Sequence, residues 1–228
     1  MKPWVLLGQT RTPDGTDLRL QRRDTEFAMF AGGRLLMSSR MHGSEEALAA
    51  MACGDLRGAG SPHVLIGGLG MGYTLRAALD LLPATATVTV AELVPAVIDW
   101  NRGPLRGLVG APAADARVRL EAADVGAVLR AHTAAFDAIL LDVDNGPDAF
   151  STSSNLWLYA DPGLAAARRA LKAGGRLAVW SAWEDRRFEQ RLRYAGFTVK
   201  VERVRARLKR GGPRHTIFVA RSPEAEAR

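Results

Sequence analysis

The segment from Val64 to Thr74 constrains the fold of this chain more than any other. Its sequence is VLIGGLGMGYT, a short apolar run that ends in closely spaced glycines and leads into an Ala- and Leu-rich helical pattern. Such a pattern predicts a strand, a tight turn and a helix N-terminus that approaches a nucleotide. Glu92 ends a second apolar strand roughly twenty residues after the turn, where a carboxylate can accept hydrogen bonds from a ribose diol. The turn and Glu92 together predict a nucleoside-binding site.

Strand patterns and helix patterns alternate from residue 63 to residue 195. We predict strands at 63–68, 86–92, near 117–121, at 137–142 and at 176–181, and helices at 72–82, from Pro95, from Asp124, at 161–172 and at 184–195. This alternation favours a parallel sheet with helices on both faces. The segments 198–208 and 215–220 are joined by a turn too short for a parallel crossover, so they predict an antiparallel hairpin. The expected class is an α/β, Rossmann-like fold whose mostly parallel sheet ends in this hairpin.

Residues 4–40 follow a different pattern, with a period of two. Four short strand patterns are separated by turn sequences such as TPDG at 12–15 and AGG at 31–33, which predicts a small antiparallel β-sheet. Ser44 is placed to cap a helix from Glu45 to about Cys53, and a linker follows. We therefore predict a small N-terminal sheet with one helix at 1–54 and a nucleoside-binding catalytic domain at 55–228.

The composition excludes several classes of protein. The chain has 228 residues, of which 47% are hydrophobic, and can bury a core. One cysteine excludes an internal disulfide, and the four histidines show no metal-ligand spacing, so we predict no metal site. The N-terminal apolar patch is too short for a signal peptide or a membrane span, which favours a cytoplasmic protein without membrane contact. A net charge of +7 and basic residues between Arg203 and Arg214 leave nucleic acid as an alternative partner, although a solvated strand face is simpler.

An acidic window interrupts this basic chain. Residues 131–167 contain no Lys or Arg, and they include Asp137, Asp142, Asp144, Asp148 and Asp161. Asp142 ends a predicted strand, and doubly wound folds bind ligands at that end. The connection to the next helix spans about seventeen residues, which is long unless it is functional. We predict a negative site that attracts cationic reactants, with Asp137 as a solvated turn residue and Asp161 as a helix cap.

In order and spacing, these segments resemble the spermidine synthase (polyamine aminopropyltransferase) family, which has a class I methyltransferase fold and uses S-adenosylmethionine-type donors. The residues that carry the resemblance are IGGLGMGYTLR at 66–76, AELVP at 91–95, Asp124, Asp142 and LY at 158–159. The resemblance implies a transferase of polyamine biosynthesis that moves an aminopropyl or related group from decarboxylated or intact S-adenosylmethionine to a small amine. It also implies that no cofactor is tightly bound, and we expect a homodimer.

Carried over residue by residue, the resemblance implies Glu92 on the ribose, Asp124 near the adenine amine and Asp142 beside the attacked carbon. With the other candidates from the same segments, the predicted site residues form three groups. Those that bind the donor are Gly67, Gly68, Gly70, Gly72, Glu92, Asp124 and Val125. The catalytic group consists of Asp142, which would orient and deprotonate the acceptor, together with Asp144 and Tyr159. Residues that bind the substrate are Glu46, Asn145 and Trp157. Asp124 is equally well explained as a helix N-cap, and core packing explains Trp157 nearly as well.

The chain departs from the family pattern at the glycine turn. Gly70 stands where the family has an aspartate, which the resemblance assigns to the amine of the transferred aminopropyl group. The donor is therefore open between decarboxylated and intact S-adenosylmethionine, and a methyltransferase acting on a small molecule or RNA is the alternative. A third hypothesis is a binding module that kept the fold and lost catalysis.

Overall fold

The computed structural model describes residues 2–143, 153–207 and 212–224, with the side chains of 153–155 left out. Within these ranges the chain forms a four-stranded sheet and a seven-stranded sheet with helices on both faces of the larger one. None of the helices in these ranges is long and apolar enough to cross a membrane.

The four-stranded sheet is antiparallel, and its strands pair in chain order. Its strands are β1 (Val5–Arg11), β2 (Asp17–Arg23), β3 (Glu26–Ala31) and β4 (Arg34–Ser38). The period of two therefore predicted this sheet correctly. Gly8 of β1 faces Trp100 so closely that a Cβ at Gly8 would overlap the indole ring. This contact packs the small sheet against the helix that contains Trp100.

The seven-stranded sheet has the order β10-β11-β9-β8-β5-β6-β7. Its strands are β5 (His63–Gly67), β6 (Thr87–Glu92), β7 (Val118–Ala122), β8 (Phe136–Leu141), β9 (Leu171–Ser181), β10 (Thr198–Arg205) and β11 (Arg214–Arg221). β11 is antiparallel to both of its neighbours, β10 and β9, and the other neighbouring pairs in this sheet are parallel. The predicted fold class, a mostly parallel sheet ending in an antiparallel hairpin, is confirmed.

Seven α-helices are described. They are α1 (Gly43–Cys53), α2 (Tyr73–Leu81), α3 (Pro95–Arg102), α4 (Val125–Ala131), α5 (Ser153–Tyr159), α6 (Asp161–Ala170) and α7 (Arg186–Tyr194). One buried cluster joins α1, α2 and α3 to one face of the large sheet and to the small sheet, and it includes the buried Cys53. A second cluster joins α4, α6 and α7 to the opposite face. The helices thus cover both faces, as parallel strands require.

Helix ends differ from the predictions at two places. Ser44 does not cap α1, because the helix begins at Gly43 and its N-cap residue is His42. The hydroxyl of Ser44 instead donates to Glu45. Asp161 is the first residue of α6 rather than its cap, and the N-cap position is Ala160.

The strand β9 begins earlier than predicted. The predicted helix 161–172 ends at Ala170, and the two glycines expected to terminate it lie inside the strand. Leu171 already pairs with Phe136, and the register shifts before Arg176, where Gly174 adopts a φ of +69°. Pairing with the neighbouring strand prevails over the glycines that favour a helix end here, because glycine can also accommodate a strand irregularity.

Two features of the acidic window also differ from the predictions. Asp137 is not a solvated turn residue, because it lies inside β8, where it accepts a hydrogen bond from the backbone N–H of His63 and pairs with Lys172. The predicted long connection after β8 contains α5. A helix therefore occupies its second half.

Candidate active site

The candidate site lies where the strand order of the large sheet reverses. β5 pairs with both β6 and β8, so the chain leaves β5 toward one edge of the sheet and later returns to extend the other. Crevices outside the carboxyl ends of such strands bind ligands in doubly wound folds. The glycine turn, Glu92 and Asp142 follow or end these three strands, and the topology brings them together.

The glycine turn packs directly against the end of β8. Gly68 has a φ of +90°, and a Cβ at this residue would overlap the carbonyl oxygen of Asp142. Its N–H donates to the carbonyl of Ala91 at 2.9 Å, which joins the turn to β6 as well. A side chain at residue 68 is therefore excluded by both backbone conformation and space.

Glu92 is buried at the end of β6 and lines the cavity. One carboxylate oxygen accepts the N–H of Leu69 at 2.8 Å, and the other accepts the N–H of Val94 at 2.9 Å. The two backbone donors fix the orientation of the carboxylate at the cavity.

Asp124 caps a helix and also lies at the cavity. It is the N-cap of α4, its Oδ1 accepts the N–H of Ala127 at 2.9 Å, and it also lines the cavity. Val125 lines the cavity beside it and packs on Gly67, where an added Cβ would lie 2.9 Å from a valine methyl group. The cap holds the Asp124 side chain at the cavity wall.

Asp142 follows β8, and its carboxyl accepts a hydrogen bond from the hydroxyl of Thr74 at 2.6 Å. Burial raises the pKa of Asp142, and the hydrogen bond from Thr74 opposes this effect only in part. The first turn of α1 brings Glu45 near it. Burial and the negative charge of Asp142 both raise the pKa of Glu45. Two mutually repelling carboxyls thus share one part of the site.

These groups surround one cavity of about 530 Å³. Its floor is the carboxyl end of the large sheet, with Gly68, Glu92, Asp124 and Asp142. Apolar residues of the small sheet, Met29, Leu35, Leu36 and Met37, also line the cavity, together with Met41 just after that sheet. This volume is in the range of small-molecule sites.

Three of the residues predicted to be catalytic or to bind the substrate lie outside this lining. Glu46 pairs with the Nδ1 of His42 at 2.7 Å. Trp157 packs against Gly126 beneath the guanidinium of Arg130, whose carbon lies 4.5 Å from the ring centroid. Tyr159 is buried, and its hydroxyl donates to the carbonyl of Val143 at 3.3 Å. None of the three is among the described residues that line the cavity.

The remaining predicted residues divide into two groups. Gly70 lines the cavity, whereas Gly67 and Gly72 do not. These two glycines allow close packing of the turn, since a Cβ at Gly67 would meet Val125 and a Cβ at Gly72 would meet Asn101. Asp144 and Asn145 lie outside the described residues, so their roles stay predictions. Within the described ranges no group of three or more His, Cys, Asp or Glu side chains could hold a metal ion.

Sequence reasoning missed several cavity residues. Glu45, Trp180 and His215 line the cavity but come from α1, β9 and β11. The pair of acids at the start of α1 was a signal, although spacing alone does not tell which of the two faces inward. Trp180 and His215 form an edge-to-face pair with ring centroids 4.6 Å apart, which depends on the pairing of β9 with β11.

Known structures share this architecture. A spermidine synthase solved in complex with the transition-state analogue AdoDATO and the spermidine synthase of Thermotoga maritima each superpose with a TM-score of 0.72 and 18% identity, over 95% of this chain and 72% of theirs. A probable spermidine synthase from Corynebacterium glutamicum superposes with a TM-score of 0.65 and 18% identity, over 94% of this chain and 79% of its own. The chain has the spermidine synthase fold. No protein-family model matches the sequence. No curated protein matches it either.

Within this spermidine synthase-like fold, the small sheet fills the space beside Gly70. This glycine has a φ of +50°, and a Cβ there would lie 2.7 Å from the terminal methyl carbon of Met37. An aspartate at residue 70 would therefore need Met37 to move. The thioether side chain of Met37 on β4 occupies the space beside Gly70, the position at which the resemblance expects an aspartate.

Proposed function

We propose that the protein transfers a group from a sulfonium nucleoside of the S-adenosylmethionine type to a small amine. The observation that carries this proposal is the single cavity that Glu92 and Asp142 both line. We call one side of the cavity the donor wall, which consists of Gly68, Glu92, Asp124 and Val125. We call the other the acceptor wall, which consists of Glu45, Asp142, Trp180 and His215. All eight residues line the cavity.

The donor wall suits a nucleoside. The carboxylate of Glu92 is held by two backbone N–H groups and can accept hydrogen bonds from two ribose hydroxyls. The Oδ1 of Asp124 is used by the helix cap, so its second oxygen serves for an exocyclic adenine amine. Gly68 allows the ligand to approach the backbone of the turn.

The acceptor wall suits a nitrogen nucleophile. In the proposed step, the lone pair of a neutral amine attacks the carbon attached to the sulfonium. The carbon–sulfur bond breaks and its electron pair returns to sulfur, which leaves as a neutral thioether. The new nitrogen–carbon bond makes the amine cationic, and Asp142 accepts the proton that it loses. Positioning of the two reactants supplies most of the acceleration, because the leaving group needs no protonation.

The charge of the cavity supports cationic reactants. Both a sulfonium donor and a protonated amine carry positive charge, and the described part of the cavity contains the carboxyl groups of Asp14, Glu45, Glu92, Asp124 and Asp142. Of the described lining residues, none is a Lys or Arg. A site of one sign inside an oppositely charged molecule concentrates ligands of the complementary charge.

Calorimetric titration tests the donor directly. We expect decarboxylated S-adenosylmethionine, intact S-adenosylmethionine or their thioether products to bind, and incubation of the tighter donor with a panel of diamines and monoamines to release the matching thioether nucleoside. Absence of binding by every sulfonium nucleoside and thioether would disprove the proposal. Binding without turnover against the whole panel would instead support a binding module.

A methyltransferase is the second candidate, and the contact between Met37 and Gly70 favours it. This contact leaves a thioether where the resemblance expects a partner for the donor's amine, and a methyl group needs no such partner. The acceptor would be small rather than RNA. On the basic strand β10, Lys200 pairs with Glu202 and Arg203 pairs with Glu184, which reduces its positive field. Release of S-adenosylhomocysteine rather than methylthioadenosine distinguishes this candidate.

A further inference from the structure

Three large apolar side chains in the described part of the cavity lining are exposed to solvent. Leu35 and Leu36 lie on β4 of the small sheet, and Leu93 directly follows Glu92 at the end of β6 in the large sheet. Because they come from two sheets and line one cavity, they are not a scatter of single surface residues. Exposed apolar surface that converges in this way marks a binding groove.

An irregularity in the small sheet brings consecutive residues of β4 to the cavity. Leu35 pairs with Phe30 and Met37 pairs with Met29, so β4 has one residue more than β3 between these pairs, and that residue is Leu36. In a regular strand, neighbouring side chains point to opposite faces of the sheet. A bulge changes the direction of the side chains locally, which explains why Leu35, Leu36 and Met37 all line the cavity.

The small sheet contributes one carboxyl group to the described lining, and hydrogen bonds hold that group within its own turn. Asp14, between β1 and β2, is exposed, and its carboxylate accepts from the hydroxyl of Thr12 and from the N–H and the hydroxyl of Thr16, the last two at 3.2 Å each. The other described lining residues from this sheet carry no charge. An ammonium group on the apolar surface would therefore lose hydration without gaining an ionic partner there.

We propose that the acceptor carries an uncharged alkyl or aryl group on the side away from its reacting nitrogen, and that this group packs on Leu35, Leu36 and Met37. The inference rests on the proposed function, because the acceptor is its amine substrate. It excludes a short diamine as the preferred acceptor. It also makes these three side chains of β4 the residues that determine which acceptor binds.

The expected gain in affinity follows from the apolar area that the group buries. A fully buried methylene group strengthens binding about fourfold. Because Leu35 and Leu36 leave one side of the surface open to solvent, we expect about twofold to threefold for each methylene here. The thioether side chains of Met29, Met37 and Met41 are flexible, so they can adapt to apolar groups of different shape.

Calorimetric titration of two matched amines tests the inference. n-Pentylamine and 1,4-diaminobutane have the same number of non-hydrogen atoms, but the first ends in a methyl group and the second in another ammonium. Each is titrated into protein saturated with methylthioadenosine or S-adenosylhomocysteine, whichever binds more tightly. n-Pentylamine should bind at least about tenfold more tightly than the diamine, and n-heptylamine about fourfold to ninefold more tightly than n-pentylamine.

The Leu35→Asn variant should bind n-pentylamine about fivefold more weakly, while its affinities for the thioether nucleoside and the diamine stay within about twofold of the wild type. Leu6→Asn is the matched control. Leu6 is 51% exposed and Leu35 is 50% exposed, both lie on edge strands of the small sheet beside a register shift, and Leu6 is not among the described lining residues. Leu6→Asn should change no affinity. Leu35→Met, which stays apolar, should keep the wild-type affinity for n-pentylamine.

Tighter or equal binding of the diamine by the wild type would overturn the inference. An unchanged affinity of Leu35→Asn for n-pentylamine would overturn it too. A loss of nucleoside affinity in that variant would show that the leucine contacts the donor instead, and the inference would again be wrong. It also fails if the nucleoside binds and none of the three amines does. Failure of both thioether nucleosides to bind contradicts the proposed function itself, which separates the two proposals.

Discussion

The two walls of the cavity hold their carboxyl groups in different ways. On the donor wall, Glu92 receives two backbone N–H groups that belong to the turn and to the start of the next connection. On the acceptor wall, Asp142 and Glu45 each receive a side-chain hydroxyl, and burial raises the pKa of both. Backbone N–H groups thus hold the carboxylate of the donor wall, whereas burial favours the neutral forms of the two carboxyls on the acceptor wall.

The walls also differ in how the chain builds them. The donor wall comes from consecutive strand–helix units of one sheet, whose carboxyl ends meet by topology. The acceptor wall draws its residues from α1, β8, β9 and β11, which are distant in sequence. Under the proposed function, this arrangement would allow one donor class to be kept while the acceptor varies.

The largest effect is expected for Asp142→Asn, which removes the proton acceptor from the acceptor wall without changing its shape. Turnover should fall at least about a hundredfold. Initial rates at saturating donor measure this effect, and calorimetry should show donor affinity within about twofold of the wild type. If the rate is unchanged, Asp142 has no part in the reaction, and if donor affinity also collapses, the two walls are not independent.

Glu92→Gln, on the donor wall, should weaken donor binding, which Asp142→Asn should leave nearly unchanged. The amide presents an NH₂ group to one of the two backbone N–H groups, so one buried donor loses its partner. We expect donor affinity to fall about tenfold to fiftyfold and the free energy of unfolding to fall by about 1–3 kcal/mol. Calorimetry and urea unfolding measure the two effects. Glu121→Gln on β7, an exposed residue, is the control and should change neither. A wild-type donor affinity would remove Glu92 from the donor site.

The difference in how the chain builds the two walls explains how much of the candidate site was predictable from the sequence. The glycine turn, Glu92 and Asp142 were predictable because local patterns set strand ends, and parallel strands bring those ends together. Glu45 and Met37 were not, because their place depends on how α1 and the small sheet pack on the large one. The start of β9 was also missed, since pairing of Leu171 with Phe136 outweighs the glycine signal that follows. Local periodicity carries no information on such distant contacts.

A smaller effect is expected where the small sheet meets the turn. Gly70→Ala should weaken donor binding about fivefold, because the new Cβ would lie 2.7 Å from the methyl carbon of Met37 and the φ of +50° is strained for alanine. Adding Met37→Ala should recover the steric part of this loss and leave the backbone part. A double-mutant cycle on donor affinity should give a coupling of about 0.5 kcal/mol, the steric part of the roughly 1 kcal/mol to which a fivefold loss corresponds. Strict additivity would show that Met37 does not restrict this space.

The smallest effect concerns how pH changes stability through the acceptor wall. Folding raises the pKa of Glu45 above its unfolded value, so the neutral form is favoured in the folded chain. The stabilisation from this group is therefore fully present below about pH 4 and is lost as pH rises through the folded pKa. Glu45→Gln removes that dependence.

Relative to the wild type, the glutamine variant should thus gain on the order of 1 kcal/mol in its free energy of unfolding between about pH 5 and about pH 8. Urea unfolding of both proteins at the two pH values measures this difference, and contributions from groups that do not interact with Glu45 cancel when the two proteins are compared. Glu189→Gln, which makes the same chemical change at an ion pair with Arg193 on α7, should show no such gain. A difference that does not vary with pH would mean that Glu45 ionises alike in the folded and unfolded chain, so that the acceptor wall is already as charged as the donor wall before a ligand binds.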